Sequence, residues 1–379
     1  MPLAKKKEQS EKYLLKPKAP VRQSNLELLR ILLMLMIVGH HIRAYGDLGG
    51  LPSAPLSRLV LFLLTVGGKV AVDGFVLLSG YFMCTSTKIG VQPKRLLKFW
   101  LQVFFYSAGG LLVLILLGRT TFMPVNLVTF FLPVSQNVYW FATTYFFLML
   151  LSPFLNRLAQ SLSRRDYRLL LLISGILISV VPTLLRVKYP VPNMVLFLFL
   201  YMLAGYLRLH PEPLFERKWL ALGVAAGSYL FIVGHALVYG RLVEKLPLLR
   251  FLPAQMYTPG NSVPALLCAL GLFFFFKNLK MKGSRVINLI ASASFGVYLL
   301  HEHSMRARDL IWKELFNVRP SFGQPLLLAG HILLAIFIIF AVGIVIDLIR
   351  QYALEKPLFW GIDKLEEKWK RRRRDGEEA

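Results

Sequence analysis

The chain alternates long apolar runs with short basic links. Leu59–Phe82, Leu101–Leu117, Leu220–Val238 and Leu326–Leu348 hold few charges or none. Each approaches or exceeds the roughly 20 residues that carry an α-helix across about 30 Å of hydrocarbon. Strand-length alternation does not recur, which argues against a membrane β-barrel. The pattern predicts about ten spans, near residues 25–42, 59–83, 99–118, 138–156, 169–185, 193–207, 219–239, 262–276, 286–303 and 326–349. Backbone amides in lipid find no water, so these spans are expected to be helices and the fold an all-α polytopic membrane bundle.

Charge orients this layout. With the N-terminus in the cytoplasm, every cytoplasmic segment holds at least three Lys or Arg residues, whereas the outer links hold between one and four. That asymmetry fits the positive-inside rule with both termini cytoplasmic. Domains are expected at 1–24 (basic tail), 25–350 (membrane domain) and 351–379 (amphipathic, polybasic tail). No small-residue cleavage site follows the basic N-terminus, so the first span is expected to be retained, and residues 1–22 to be poorly ordered. In the C-terminal tail, Leu358, Ile362, Leu365 and Trp369 have helical spacing and are followed by Lys370 and Arg371–Arg374; this is either an inner-leaflet helix favouring anionic lipid or a solvated basic tail. Met305, Trp312, Leu315 and Phe316 are expected on one face of an outer amphipathic helix.

Composition agrees. The chain is 56% hydrophobic and 17% charged, against about 25% charged for a soluble protein. The formal net charge of +25 lies mostly in the links, so it sets orientation and no nucleic-acid partner is expected. Cys84 and Cys268 fall in or beside spans and read as apolar packing residues, with neither a disulfide nor a zinc framework.

Ionisable residues inside spans are costly and are functional candidates for that reason. The first span holds Glu27, Arg30, His40 and His41. Arg30 and His41 lie eleven residues apart, nearly three turns, so they share a face and are separated by about 16 Å along the axis. Arg30 would lie at the inner end, either snorkelling to headgroups or holding an anion; His41 would lie at the outer end. In the second span Lys69 and Asp73 are four apart, either a self-neutralising pair or a carboxylate that supports a catalytic histidine. The following KRLLK step offers Lys94, Arg95 and Lys98 to a cytoplasmic phosphate or simply marks the inside. The ninth span ends with His301, Glu302 and His303, in the same leaflet as His40 and His41. A general base histidine backed by a carboxylate needs fewer assumptions than a metal, and no metal is expected. Tyr139 and Trp140 are either an aromatic belt or a sugar-stacking surface. A charged donor held at the inner side, with a long thin arm reaching an outer base, matches acyl-coenzyme A.

Together these segments resemble the membrane-bound acyltransferase 3 family, which includes O-acetyltransferases of cell-surface polysaccharides. The resemblance rests on Arg30-x10-His41, VDGFVLLSGYF in the second span, the RLLK step, YWFATTYFFLMLLSPFLN in the fourth span and SFGVYLLHE in the ninth. It looks closest to exopolysaccharide- and capsule-modifying members from Gram-positive bacteria. It implies ten or more helices, acyl-coenzyme A (acetyl-CoA foremost) as donor, a glycan hydroxyl as acceptor, and essential Arg30 and His41. The family's Arg-x-x-Arg step stands here as Arg95-x-x-Lys98, which keeps charge but loses bidentate phosphate geometry at Lys98. Many relatives carry a further hydrolase-like domain; none is expected here, so acyl delivery either finishes in the membrane domain or passes to another protein.

The expected assignment is therefore a bacterial plasma-membrane acyltransferase. His41 is the base, supported by Glu302 or Asp73. Arg30, Lys69, Arg95 and Lys98 hold the donor, and His40, Tyr139, Trp140, His301 and His303 line the acceptor side. Its partners are acyl-CoA, the surface glycan and membrane lipid. Acetyl against succinyl, and direct transfer against an acyl-histidine, stay open, as does oligomeric state. The alternatives are a polysaccharide exporter or an assembly subunit of a polysaccharide synthase.

Overall fold

The computed structural model describes residues 22–51, 53–86, 90–121, 123–185, 191–246 and 259–377. The N-terminal tail up to residue 21 lies outside them. Among the described residues there are helices and no strand. In chain order they are α1 (Ser24–Tyr45), α2 (Pro55–Thr65), α3 (Gly68–Met83), α4 (Pro93–Leu116), α5 (Pro124–Phe131), α6 (Trp140–Ser161), α7 (Arg164–Gly175), α8 (Asn193–Leu209), α9 (Lys218–Lys245), α10 (Val263–Lys277), α11 (Arg285–His301), α12 (Met305–Asp309), α13 (Pro325–Arg350) and α14 (Lys356–Glu377). Wide π-turns extend α7 through Ile176–Val180 toward Leu184, extend α12 through Leu310–Leu315, and join α13 to α14 through Gln351–Glu355.

Every predicted span falls on helix. Six stretches are both long and apolar enough to cross a membrane: Ser24–Tyr45, Pro55–Met83, Pro93–Leu116, Arg164–Leu184, Lys218–Tyr239 and Pro325–Lys370. The chain is an all-α polytopic bundle. α8, α10 and α11 are shorter, at 17, 15 and 17 residues. At 1.5 Å per residue they fall short of the ~30 Å hydrocarbon thickness.

Helix α1 runs through the centre and packs against α2, α3, α10, α11 and α13. Lipid is as apolar as leucine, so burying Leu29 or Leu33 contributes little in a bilayer; close approach and polar contacts hold such helices together. Gly68 shows the closeness. A Cβ there would sit 2.3 Å from His40 Cγ and 2.4 Å from its Cβ. The predicted second span is also not one rod: it breaks at Val66–Gly67 into α2 and α3, which lets Gly68 meet His40.

Several hydrogen bonds fix which helix ends share a side. The Ser24 hydroxyl donates to Asn288 Oδ1 (2.9 Å), and Gln351 Nε2 donates to the Ser292 carbonyl (3.2 Å). The start of α1, the start of α11 and the end of α13 thus lie at one end of the bundle, with His41 toward the other.

Two expectations about amphipathic segments divide here. Leu358, Leu365 and Trp369 of α14 are exposed, whereas Ile362, expected on the same face, is half-buried on the neighbouring stripe. Trp312 is not on an outward face with Met305 and Leu315. The π-turn that carries it shifts the helical register, and Trp312 is fully buried with its ring 5.8 Å from that of His301.

Candidate functional site

At i, i+4, i+7 and i+11, Arg30, Met34, Ile37 and His41 form one stripe of α1. Met34, Ile37 and His41 line a cavity of about 630 Å³, including the open space at its mouth. Its other walls come from Lys69, Val72 and Phe75 of α3, Trp140 and Phe141 of α6, and Phe295 and Tyr298 of α11. From Met34 to His41 the cavity follows α1 for about 10 Å.

His41 is held by a chain of hydrogen bonds. His301, fully buried, places Nδ1 2.5 Å from the Val297 carbonyl, four residues back on α11. A carbonyl only accepts, so this nitrogen carries the proton. His301 Nε2 lies 2.8 Å from His41 Nδ1. In neutral imidazoles His301 Nε2 is then the acceptor and His41 Nδ1 the donor, which leaves the lone pair on His41 Nε2. No hydrogen bond engages that atom among the described residues. Glu302, the residue just after α11, brings Oε2 to 3.6 Å from His41 Nδ1. Its other oxygen accepts from the Tyr45 hydroxyl at 2.7 Å and lies 3.9 Å from the Arg308 guanidinium, which itself covers the Tyr45 ring.

The predicted site residues separate into those that converge here and those that do not. His40 lines the cavity beside Gly68, and Trp140 lines it with the Lys69 ammonium 4.7 Å from its ring centre. Asp73 does not reach His41. It is fully buried, no hydrogen bond reaches either carboxylate oxygen, and no ion pair to Lys69 forms among the described residues; at four residues' spacing the lysine turns to Trp140 instead. The nearest carboxylate to His41 is that of Glu302. Tyr139 is buried against the rings of Tyr298 and His303, off the cavity. His303 turns away: its Nε2 donates to the Ser107 carbonyl (2.8 Å), and its ring stacks on Phe130 at the edge of a separate apolar slot between α4, α11 and α12. Among the described residues no group of three His, Cys, Asp or Glu side chains is placed to hold a metal ion.

At the opposite end, Gln92, Lys94, Arg95 and Lys98 at the start of α4 line an open basic pocket of about 1030 Å³. Phe359 of α14 forms another wall. Arg30 is not among its lining residues; it pairs with Glu27 one turn back, at 2.5 Å. The expected donor cations thus form two groups, with Arg30 one turn beyond the inner limit of the cavity and Arg95 with Lys98 in the pocket.

A family model described as an acyltransferase domain matches residues 23–349. The chain belongs to the membrane-bound acyltransferase 3 family. It is therefore a multi-pass membrane acyltransferase. Comparison with curated proteins and with solved structures returned no match.

This acyltransferase also carries polar residues that the sequence pattern did not single out. Tyr45, four residues after His41, lines the cavity and holds Glu302; the i, i+4 spacing was the available signal. Asp347, fully buried near the end of α13, accepts from Arg350 Nε (2.8 Å), Tyr106 (3.0 Å), Gln102 (3.1 Å) and Gln351 (2.8 Å). Arg350 reaches on to Glu355 (2.7 Å), which meets Lys98 of the basic pocket (2.7 Å). A lone acidic residue inside an apolar run, three before an arginine, was the signal here; at the span's edge it reads as a boundary charge. Gly296 admits this network, because a Cβ there would lie 2.5 Å from both Asp347 Oδ1 and the Tyr106 hydroxyl.

Proposed function

We propose that this acyltransferase moves an acyl group, acetyl foremost, from acyl-coenzyme A on the cytoplasmic side to a hydroxyl of an extracytoplasmic polysaccharide of the bacterial envelope. Both termini face the cytoplasm in this scheme, which the distribution of Lys and Arg supports. The observation that carries the proposal is the oriented His41: buried, tied through Nδ1 to His301, and bordering a cavity with Nε2 available.

In the proposed reaction the donor's anionic nucleotide rests against the basic end of the bundle. Its thin pantetheine arm follows the α1 stripe past Met34 and Ile37. His41 Nε2 takes the proton of the acceptor hydroxyl as its oxygen attacks the thioester carbonyl, and the C–S bond breaks to release the thiolate. His301 acts through His41 by fixing its ring. Glu302 stabilises the imidazolium that forms, and Lys69 is the cation on the cavity wall suited to the developing oxyanion. Trp140 offers a face for the sugar ring.

The test is ester-linked acyl on surface glycan, read by mass spectrometry before and after mild alkali, in cells making wild type, His41→Ala or Arg30→Ala at matched membrane levels. Ester present with wild type and absent with both variants supports the proposal, and the acyl mass names the donor. Ester unchanged in His41→Ala rejects it.

A further inference from the structure

Helix α14 lies beyond the residues matched by the family model, yet it closes one side of the basic pocket. Its turn-to-turn stripe of Glu355, Phe359 and Ile362 is half-buried, whereas Leu358, Leu365 and Trp369 on the neighbouring stripe are exposed. Among the described residues, its ionic contacts with the pocket are carboxylates on pocket lysines: Asp363 on Lys94, and Glu355, in the joining turn, on Lys98 at 2.7 Å. Lys94 also lies 6.0 Å from the Phe359 ring centre. Arg95 makes no ion pair among the described residues.

These carboxylates stand where the phosphates of a nucleotide would be drawn. The Lys94–Asp363 half of the latch is weak by construction, whereas Glu355 is also anchored to Arg350. Lys94 and Asp363 are each about half exposed, and exposed ion pairs contribute little because water and salt screen them. Among the described residues no other helix packs extensively along α14, which meets α13 through the π-turn at Gln351–Glu355. A polyphosphate carries several negative charges against one on each carboxylate, and its oxygens form charge-assisted hydrogen bonds with lysine and arginine.

We propose that α14 is a lid on the basic pocket, latched by Asp363 on Lys94 and Glu355 on Lys98, and opened by a polyphosphate-bearing nucleotide that takes both lysines. The nature of the opener rests on the donor assignment proposed above; the latch rests on the ion pairs. Phe359 forms a wall of the pocket when the lid is down.

The test uses full-length protein in nanodiscs. A cysteine placed by Phe359→Cys reports the lid through its rate of maleimide labelling, with low background because Cys84 and Cys268 are buried. Asp363→Asn is expected to speed labelling about two- to fivefold without nucleotide, the range an exposed ion pair carries. The exchange Lys94→Asp with Asp363→Lys restores the slow rate. Coenzyme A speeds labelling in the Phe359→Cys protein. With Phe359 retained, Asp363→Asn binds coenzyme A about two- to fivefold more tightly, since less binding energy goes to opening the lid.

A labelling rate indifferent to Asp363→Asn, with coenzyme A still bound by the wild type, overturns the lid and leaves the donor assignment standing. A latch that responds to Asp363→Asn in a protein that binds no coenzyme A in any form overturns the donor assignment, and the proposed opener with it.

Discussion

At the scale of single residues, His41 and His301 have unequal roles. His41 borders the cavity, whereas His301 is sealed behind it between the Val297 carbonyl and the Trp312 ring. Removing a general base typically lowers the rate by about 10²–10⁴-fold, and His41→Ala is expected in that range. His301→Ala is expected to lower kcat while leaving the donor KM nearly unchanged, because it alters the ring's orientation and tautomer without touching the donor path; steady-state transfer from labelled acetyl-CoA separates the two constants. The carboxylates are also unequal. Glu302→Gln keeps an acceptor for Tyr45 but removes the charge 3.6 Å from His41, so transfer should fall by roughly tenfold or more. Asp73→Asn keeps the shape and lies off the cavity, so transfer should stay within a few-fold of wild type. Equal losses in the two variants would contradict this geometry.

At the scale of helices, the decisive contact is between α1 and α3. His40 Cβ moves only with the backbone of α1, so Gly68→Ala must push the two helices apart. Overpacking of this kind costs about 1–3 kcal/mol. The expected result is a lower unfolding temperature in nanodiscs, with acyl transfer reduced because His40 and His41 move together. The sequence showed that Arg30 and His41 share a stripe, since helical geometry alone fixes that. It also placed His301 and Glu302 near His41, because the first and ninth spans cross in the same direction and their C-terminal ends share a leaflet. It did not show the break between α2 and α3, because Val66 and Gly67 carry no charge and glycine is tolerated inside membrane helices. Nor did it show the turning away of His303, which depends on the Ser107 carbonyl of a distant helix. Spacing predicted that Lys69 and Asp73 could meet, but the competing aromatic face of Trp140 belongs to another helix and is invisible to spacing.

At the scale of the whole molecule, the bundle has a polar end and a cavity end joined by α11. The Asp347 network holds α4, α11 and α13 together at the former, and the same helix carries Val297 and His301 to the latter. Asp347→Ala would leave Arg350 with Glu355 alone and strip Tyr106 and Gln102 of their shared acceptor. Removing one member of a buried ion pair costs about 3–5 kcal/mol, so a large fall in thermal stability is expected, readable as earlier loss of helix signal on heating. The all-α bundle was legible because lipid enforces helices on apolar runs, and six of the expected spans fall on helices long and apolar enough to cross a membrane. The shortness of α8, α10 and α11 was legible too, because the expected spans 193–207, 262–276 and 286–303 are bounded by charged and turn-forming residues close to the observed helix ends.

The hydrogen-bond chain behind His41 has a consequence for proton bookkeeping. It runs from His41 Nδ1 to His301 and ends at the Val297 carbonyl, which cannot accept a proton as a base would. It is a blind alley. Glu302 lies beyond hydrogen-bond length from Nδ1. In the proposed reaction, a proton taken up at Nε2 therefore leaves by the same atom, and the species that needs it is the departing thiolate. Acceptor hydroxyl and leaving sulfur must visit one nitrogen in turn, so a complete turnover neither draws protons from one side of the membrane nor discharges them to the other.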